Sequence, residues 1–148
     1  MPSLGFTYGN TQPRAIKGAI ADMRDNVMRS ITNEDATITG FGVAVFQGVN
    51  AKGGTKTGNA KFLGVTVIDR SAYTDEMLTT EGYRQYDDML VMEIGAANVA
   101  TASVAIAPGD LAYVTSAGVF TNVATSNTLI GTFERASTGG ALNVLRLK

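Results

Sequence analysis

The chain has 148 residues, and its 12 Lys plus Arg against 13 Asp plus Glu leave a formal charge of -1. That balance argues against bulk nucleic-acid binding, which needs surplus cations to release counterions. The absence of Cys and His excludes disulfides, thiolate metal sites, cysteine nucleophiles and the commonest general base, and points to a structural or binding protein of one domain, or one domain plus an arm.

Residues 1–14 have no period. Gly5, Gly9, Asn10 and Pro13 interrupt them, while Phe6 and Tyr8 add apolar weight. Such a segment cannot fold alone; it is either disordered or laid along another surface, and its two aromatics favour the second. It lacks a basic region followed by an apolar run, so no signal peptide is expected. Next, Ile16, Ile20, Met23, Val27 and Ile31 recur at helical spacing, opposite Lys17, Asp22, Arg24, Asp25 and Arg29. Gly18 and the β-branched members weaken that pattern, so a short helix and an extended arm both remain open. Asn33-Glu34-Asp35 reads as a turn.

From Ile38 the pattern is strand after strand. Phe41, Val43 and Val45 alternate with Gly42, Ala44 and Phe46. Residues 50–60 are rich in Gly, Lys, Thr and Asn and read as an exposed hairpin connection. Phe62 to Ile68 is a second strand, the polar stretch from Ser71 to Gly82 a long loop, and residues 87–94 and 99–106 further strands. Pro108-Gly109-Asp110 is a turn. Ser116-Ala117-Gly118 and Ser137-Thr138-Gly139-Gly140 each connect two strands as hairpins, the first with glycine at a left-handed position. Short strands at roughly ten-residue spacing predict an all-β protein, a small β-barrel or a jelly-roll-like sandwich. The expected division is an N-terminal arm over residues 1–37, extended or partly helical, and a β domain over 38–148. The most apolar stretch, between Glu93 and Asp110, is too short and too polar to span a membrane.

The candidate chemistry is thin. Gly53-Gly54-Thr55-Lys56-Thr57-Gly58 opens like a phosphate loop, but Asn59-Ala60 replaces the Lys-Ser or Lys-Thr pair and a strand pattern follows. A flexible loop is the expected reading. Asp87 and Asp88 are adjacent, so on a strand they face opposite ways and cannot act together. Tyr83 and Tyr86 beside Arg84 suit either ligand stacking or the capping of a barrel end. After Ile94 the only charged residues are Asp110, Glu134, Arg135, Arg146 and Lys148. That depletion fits a packed β core or a surface covered by other subunits.

Residues 107–121, Ala-Pro-Gly-Asp-Leu-Ala-Tyr-Val-Thr-Ser-Ala-Gly-Val-Phe-Thr, resemble a stretch of the bacteriophage structural cement proteins. Phe41-Gly42-Val43-Ala44-Val45, Phe62-Leu63-Gly64-Val65-Thr66-Val67, Tyr86-Asp87 and the closing run from Gly139 to Leu147 resemble further segments of that family, in the same order. The resemblance spans roughly residues 31 to 148. It implies a compact β domain on the outside of a phage head, gripping the major capsid protein and lacking catalytic residues.

The expected function is therefore a capsid decoration protein that stabilises the assembled lattice, made in the host cytoplasm and carried on the outer face of the virion. A non-catalytic tail or fibre module contacting a host-surface glycan is the alternative; with no Trp and 7% aromatics it has less to support it. No cofactor, metal, nucleic acid or membrane partner is expected. A homo-oligomer is expected, a trimer before a dimer. Phe6, Tyr8, Pro13, Arg14 and Ile16 are the candidate capsid contacts.

Overall fold

A computed structural model describes residues 16–58, 61–69, 82–102 and 104–148. These form nine strands: β1 Val27–Asn33, β2 Ala44–Gln47, β3 Gly53–Thr55, β4 Phe62–Thr66, β5 Asp88–Ala100, β6 Leu111–Val114, β7 Phe120–Thr121, β8 Thr128–Phe133 and β9 Leu142–Leu147. Their order in the sheet is β1-β3-β2-β4-β5-β9-β8-β6-β7, and β1 also pairs with β5. That return pairing closes β1, β3, β2, β4 and β5 into a five-stranded barrel. Closure removes the free edges that an open sheet would expose.

β5 joins the two halves. It pairs with β1 as far as Ile94 and with β9 from Gly95 onward. Gly95 has φ +132, and a Cβ there would come within 2.8 Å of the Asn26 Cβ. Glycine is needed where the strand passes from one group to the other. Beyond β5, the bridge between Thr101 and Phe120 brings β7 back against the chain.

Alternate residues of one strand enter different cores. Val45, Met89 and Val91 join Ile31, Phe41 and Tyr83 in one cluster. Ala44, Phe46 and Met92 join Val114, Phe120, Phe133 and Leu145 in the other. β2 is thus buried on both faces, which explains why Val45 and its neighbours are all apolar. Each fully buried Val, Met or Phe contributes about 1.5–3 kcal/mol.

The structure decides one open alternative and corrects two expectations. Among the described residues there is no helix. Residues 27–33 are a strand antiparallel to β5, with Ile31 opposite Met89, so the sheet begins well before Ile38. Residues 18–21 continue along the same edge of β5. Gly18 N donates to Asn98 O at 2.8 Å, Asn98 N to Ala19 O at 3.0 Å and Ala21 N to Ala96 O at 2.9 Å. The backbone groups of β5 need partners when buried, and that need outweighs the weak local helical spacing.

The connection over residues 50–60 contains β3, parallel to β1, with Gly53 and Gly54 buried. It is therefore not simply a flexible loop. The expected strands over 87–94 and 99–106 are replaced by one strand that runs through Gly95 and ends at Ala100. The hairpin expectations fit: Gly118, Gly139 and Gly140 have φ of +80, +62 and +78. The Ser71 to Gly82 loop, apart from Gly82, lies outside the described residues.

Candidate functional site

The groups singled out for chemistry serve the fold. Asp87 Oδ2 accepts from Arg84 N at 2.9 Å, and Asp88 Oδ1 from Thr32 Oγ1 at 3.1 Å. Tyr83 is 1% exposed. Its hydroxyl donates to Val67 O at 2.7 Å, and its ring meets Phe41 edge-on at 5.5 Å. Tyr83 is a core residue, whereas Tyr86 is exposed. Among the described residues, no group of three or more carboxylates gathers, and every buried side-chain nitrogen or oxygen has a partner. A recess of about 420 Å³ runs between Lys61–Leu63, Glu93, Thr128–Ile130 and the end of β9. It is an open groove at the junction of the two halves, and its two lysines and one glutamate form no catalytic pair.

Of the candidate contacts, Phe6, Tyr8, Pro13 and Arg14 lie outside the described residues. Ile16 is 66% exposed, just before the segment that pairs with β5. Ile20, Met23 and Val27 are exposed as well, and Val27 stands opposite the exposed Ile94. A clasp holds this segment down. The Arg24 guanidinium bonds Asp22 Oδ2 at 2.6 Å and both carboxylate oxygens of Glu134, at 2.5 and 3.0 Å. Bonding to Asp22 first, then to Glu134, raises the Arg24 pKa; the Arg24 bonds hold Asp22 below the usual carboxylate range.

The Asn33-Glu34-Asp35 turn organises more than sequence reading assigned to it. Asn33 Nδ2 donates to Tyr83 O at 3.0 Å and Arg84 O at 3.1 Å; its Oδ1 accepts from Asp35 N and Thr39 Oγ1. The Glu34 carboxylate accepts from Val49 N at 2.7 Å, Asn50 N at 2.9 Å and Asn50 Nδ2 at 2.6 Å. The backbone donors Asn50 and Val49 lower its pKa most. Gly48 and Gly53 leave the room this carboxylate needs, since a Cβ at either would overlap it. Asp35 Oδ2 accepts from Lys56 N at 2.8 Å. The only sequence signal was three consecutive polar side chains able to bond backbone.

A third surface lies on the outer side of the second half. Tyr113 of β6 stands opposite the exposed Leu129 of β8, and Leu111 is exposed two positions before Tyr113. This is the charge-poor part of the chain. The first segment and this face carry exposed apolar side chains, while the turn between them is a polar fastening.

A family model described as "Structural cement protein (E217 gp24/Pam3 gp6)" matches residues 4–148. The chain belongs to this phage structural cement family. The match begins in the arm, so the family pattern extends well before residue 31, where the resemblance read from motifs began. Among solved structures, a chain from "The capsid of Myoviridae Phage XM1" is similar, with a TM-score of 0.62 and 13% identity, covering 95% of this chain and 96% of that one. At that identity the likeness concerns the fold. No curated protein matches.

Proposed function

We propose that this cement protein binds the outside of the assembled major capsid lattice and stabilises the head. The observation that carries this reading is the family match over residues 4–148. A ligand that binds the assembled shell and not the free subunits stabilises the shell by linkage. Many copies, each contributing a little, raise the cost of opening it. The role needs adhesive surface and a stiff body, and no catalysis, cofactor or metal.

In this reading Phe6, Tyr8, Pro13, Arg14 and Ile16 grip the capsid protein, and the protein sits on the outer face of the virion after synthesis in the host cytoplasm. The described structure supports the mechanics. From Ile16 onward the chain is tied at once to β5 through residues 18–21 and to Glu134 through Arg24. Pull on the arm is therefore borne by the strand shared between both halves. Burying Phe6 and Tyr8 contributes about 1.5–3 kcal/mol each, offset by about 1–2 kcal/mol for every residue ordered. The net gain per copy is small, so body contacts must share the load.

Deletion of residues 1–14 tests the reading. It leaves the pairing of residues 18–21 and β1 intact, so the truncated chain should keep its thermal midpoint. It should bind purified expanded heads much more weakly, and those heads should rupture at lower temperature. Equal decoration and protection by the truncated chain would refute the role given to the arm. Failure of the full chain to bind heads would refute the function.

A further inference from the structure

We infer that Tyr86 and Val49 form a second, preorganised attachment point, two apolar knobs that seat in recesses of the capsid protein surface. This rests on the capsid-binding reading above and deepens it by naming a contact outside the arm.

Three observations converge on it. Val49 is 98% and Tyr86 75% exposed, among the largest exposures of apolar residues on the body. Both are fixed to consecutive residues of one turn: Tyr86 N donates to Asn33 O at 2.7 Å, and Val49 N to the Glu34 carboxylate at 2.7 Å. Tyr86 also has φ +69. Positive φ is a genuine outlier for a bulky side chain and persists only where the surroundings impose it. A glycine would adopt that conformation freely. The fold therefore keeps an aromatic ring in solvent at a position that favours glycine.

The turns are rigid. Asp87 N donates to Arg84 O at 3.1 Å and Arg84 N to Asp87 Oδ2 at 2.9 Å. On the other side, Gly53 N donates to Asn50 O at 2.9 Å and Gln47 Nε2 to the same oxygen at 2.8 Å. Knobs held this way lose little freedom on docking, which favours affinity. Tyrosine is also among the residues that dominate binding energy at interfaces.

Area decides the occupant. A tyrosine buries about 150–250 Å², and a valine less. A stable contact between two copies needs about 1,200 Å² or more in total. Two such knobs cannot hold a dimer. They can add to an attachment already made by other contacts on the same shell.

The experiment compares wild type, Tyr86→Gly, Val49→Ser and the double variant on purified heads assembled without this protein. Tyr86→Gly should keep or raise the thermal midpoint while weakening head binding at least about tenfold, and the double variant should weaken it further. A double variant that binds as well as wild type overturns the proposal and leaves the capsid-binding function standing. A wild-type chain that does not bind overturns both. A lower midpoint for Tyr86→Gly means the tyrosine serves the fold, and overturns the proposal. So does a variant that binds heads normally but loses self-association, because the patch then belongs to a second copy.

Discussion

At the scale of single residues, the polar groups of the interior act as fasteners. Asn33 and Asn143 are each buried, and each ties a strand to a neighbouring loop. Asn143 does so by donating to Arg135 O at 2.7 Å and accepting from Arg135 N at 3.1 Å. Tyr83 shows the same logic with a titratable group. Burial, helped by the charge of Asp69 and opposed by a backbone bond from the Leu90 region, pushes its hydroxyl from 10.0 up to about 12. The raised value means that the folded state keeps a proton that the unfolded state gives up. Its contribution to stability is fully present below about pH 10 and is lost as the pH rises toward about 12. Urea unfolding across that range should show stability falling in wild type and falling less in Tyr83→Phe. At neutral pH the variant should lose about 1–2 kcal/mol, because Val67 O loses its donor. Parallel pH profiles for the two proteins would show that another group titrates.

At the scale of elements, β5 carries most of the connectivity. Its first part closes the five-stranded barrel against β1, and its second part begins the β9-β8-β6-β7 group. Gly95 sits at the transfer, and its positive φ and the nearby Asn26 Cβ leave no room for a side chain. Gly95→Ala should therefore cost about 1–3 kcal/mol. A matched substitution on an exposed position of the same strand should change stability by less than about 0.5 kcal/mol. Equal midpoints in denaturant for Gly95→Ala and wild type would mean that β5 can bend elsewhere. β3 makes the complementary point. Its Gly-Gly-Thr sequence has almost no intrinsic strand preference. It is a strand because β1 and β2 flank it and the Glu34 carboxylate packs over Gly48 and Gly53.

At the scale of the whole molecule, the proposed function distributes adhesion over several surfaces. In the proposed role, the arm and the Tyr86 and Val49 turns contact the capsid, while the Leu111, Tyr113 and Leu129 face is left for a second copy of the chain. The last is the expected self-association surface, since it combines exposed apolar side chains with the charge-poor part of the chain. Light scattering at high concentration should report an oligomer, a trimer before a dimer. Leu129→Glu should shift it to monomer with little change in thermal midpoint, because Leu129 is exposed. A monomer at every concentration in wild type would remove this face from the account of assembly in solution.

The β class, the glycine-bearing hairpins at Gly118 and Gly139-Gly140 and the family were legible along the chain. Each depends on local chemistry: strand alternation, left-handed turns, ordered motifs. The status of residues 27–33 was not legible, because their apolar spacing fits both a helix and a strand. Their partner decided it, and that partner is distant: Thr32 bonds Asp88, 56 positions away. The same holds for the single long β5 and for β3, whose glycines read locally as loop. The contact surfaces were the least visible. A residue such as Tyr86 looks like its neighbour Tyr83 in sequence, yet one fills the core and the other stands in solvent. Local propensity sets which conformations are available, whereas pairing and burial across long separations select among them and determine which apolar groups remain outside.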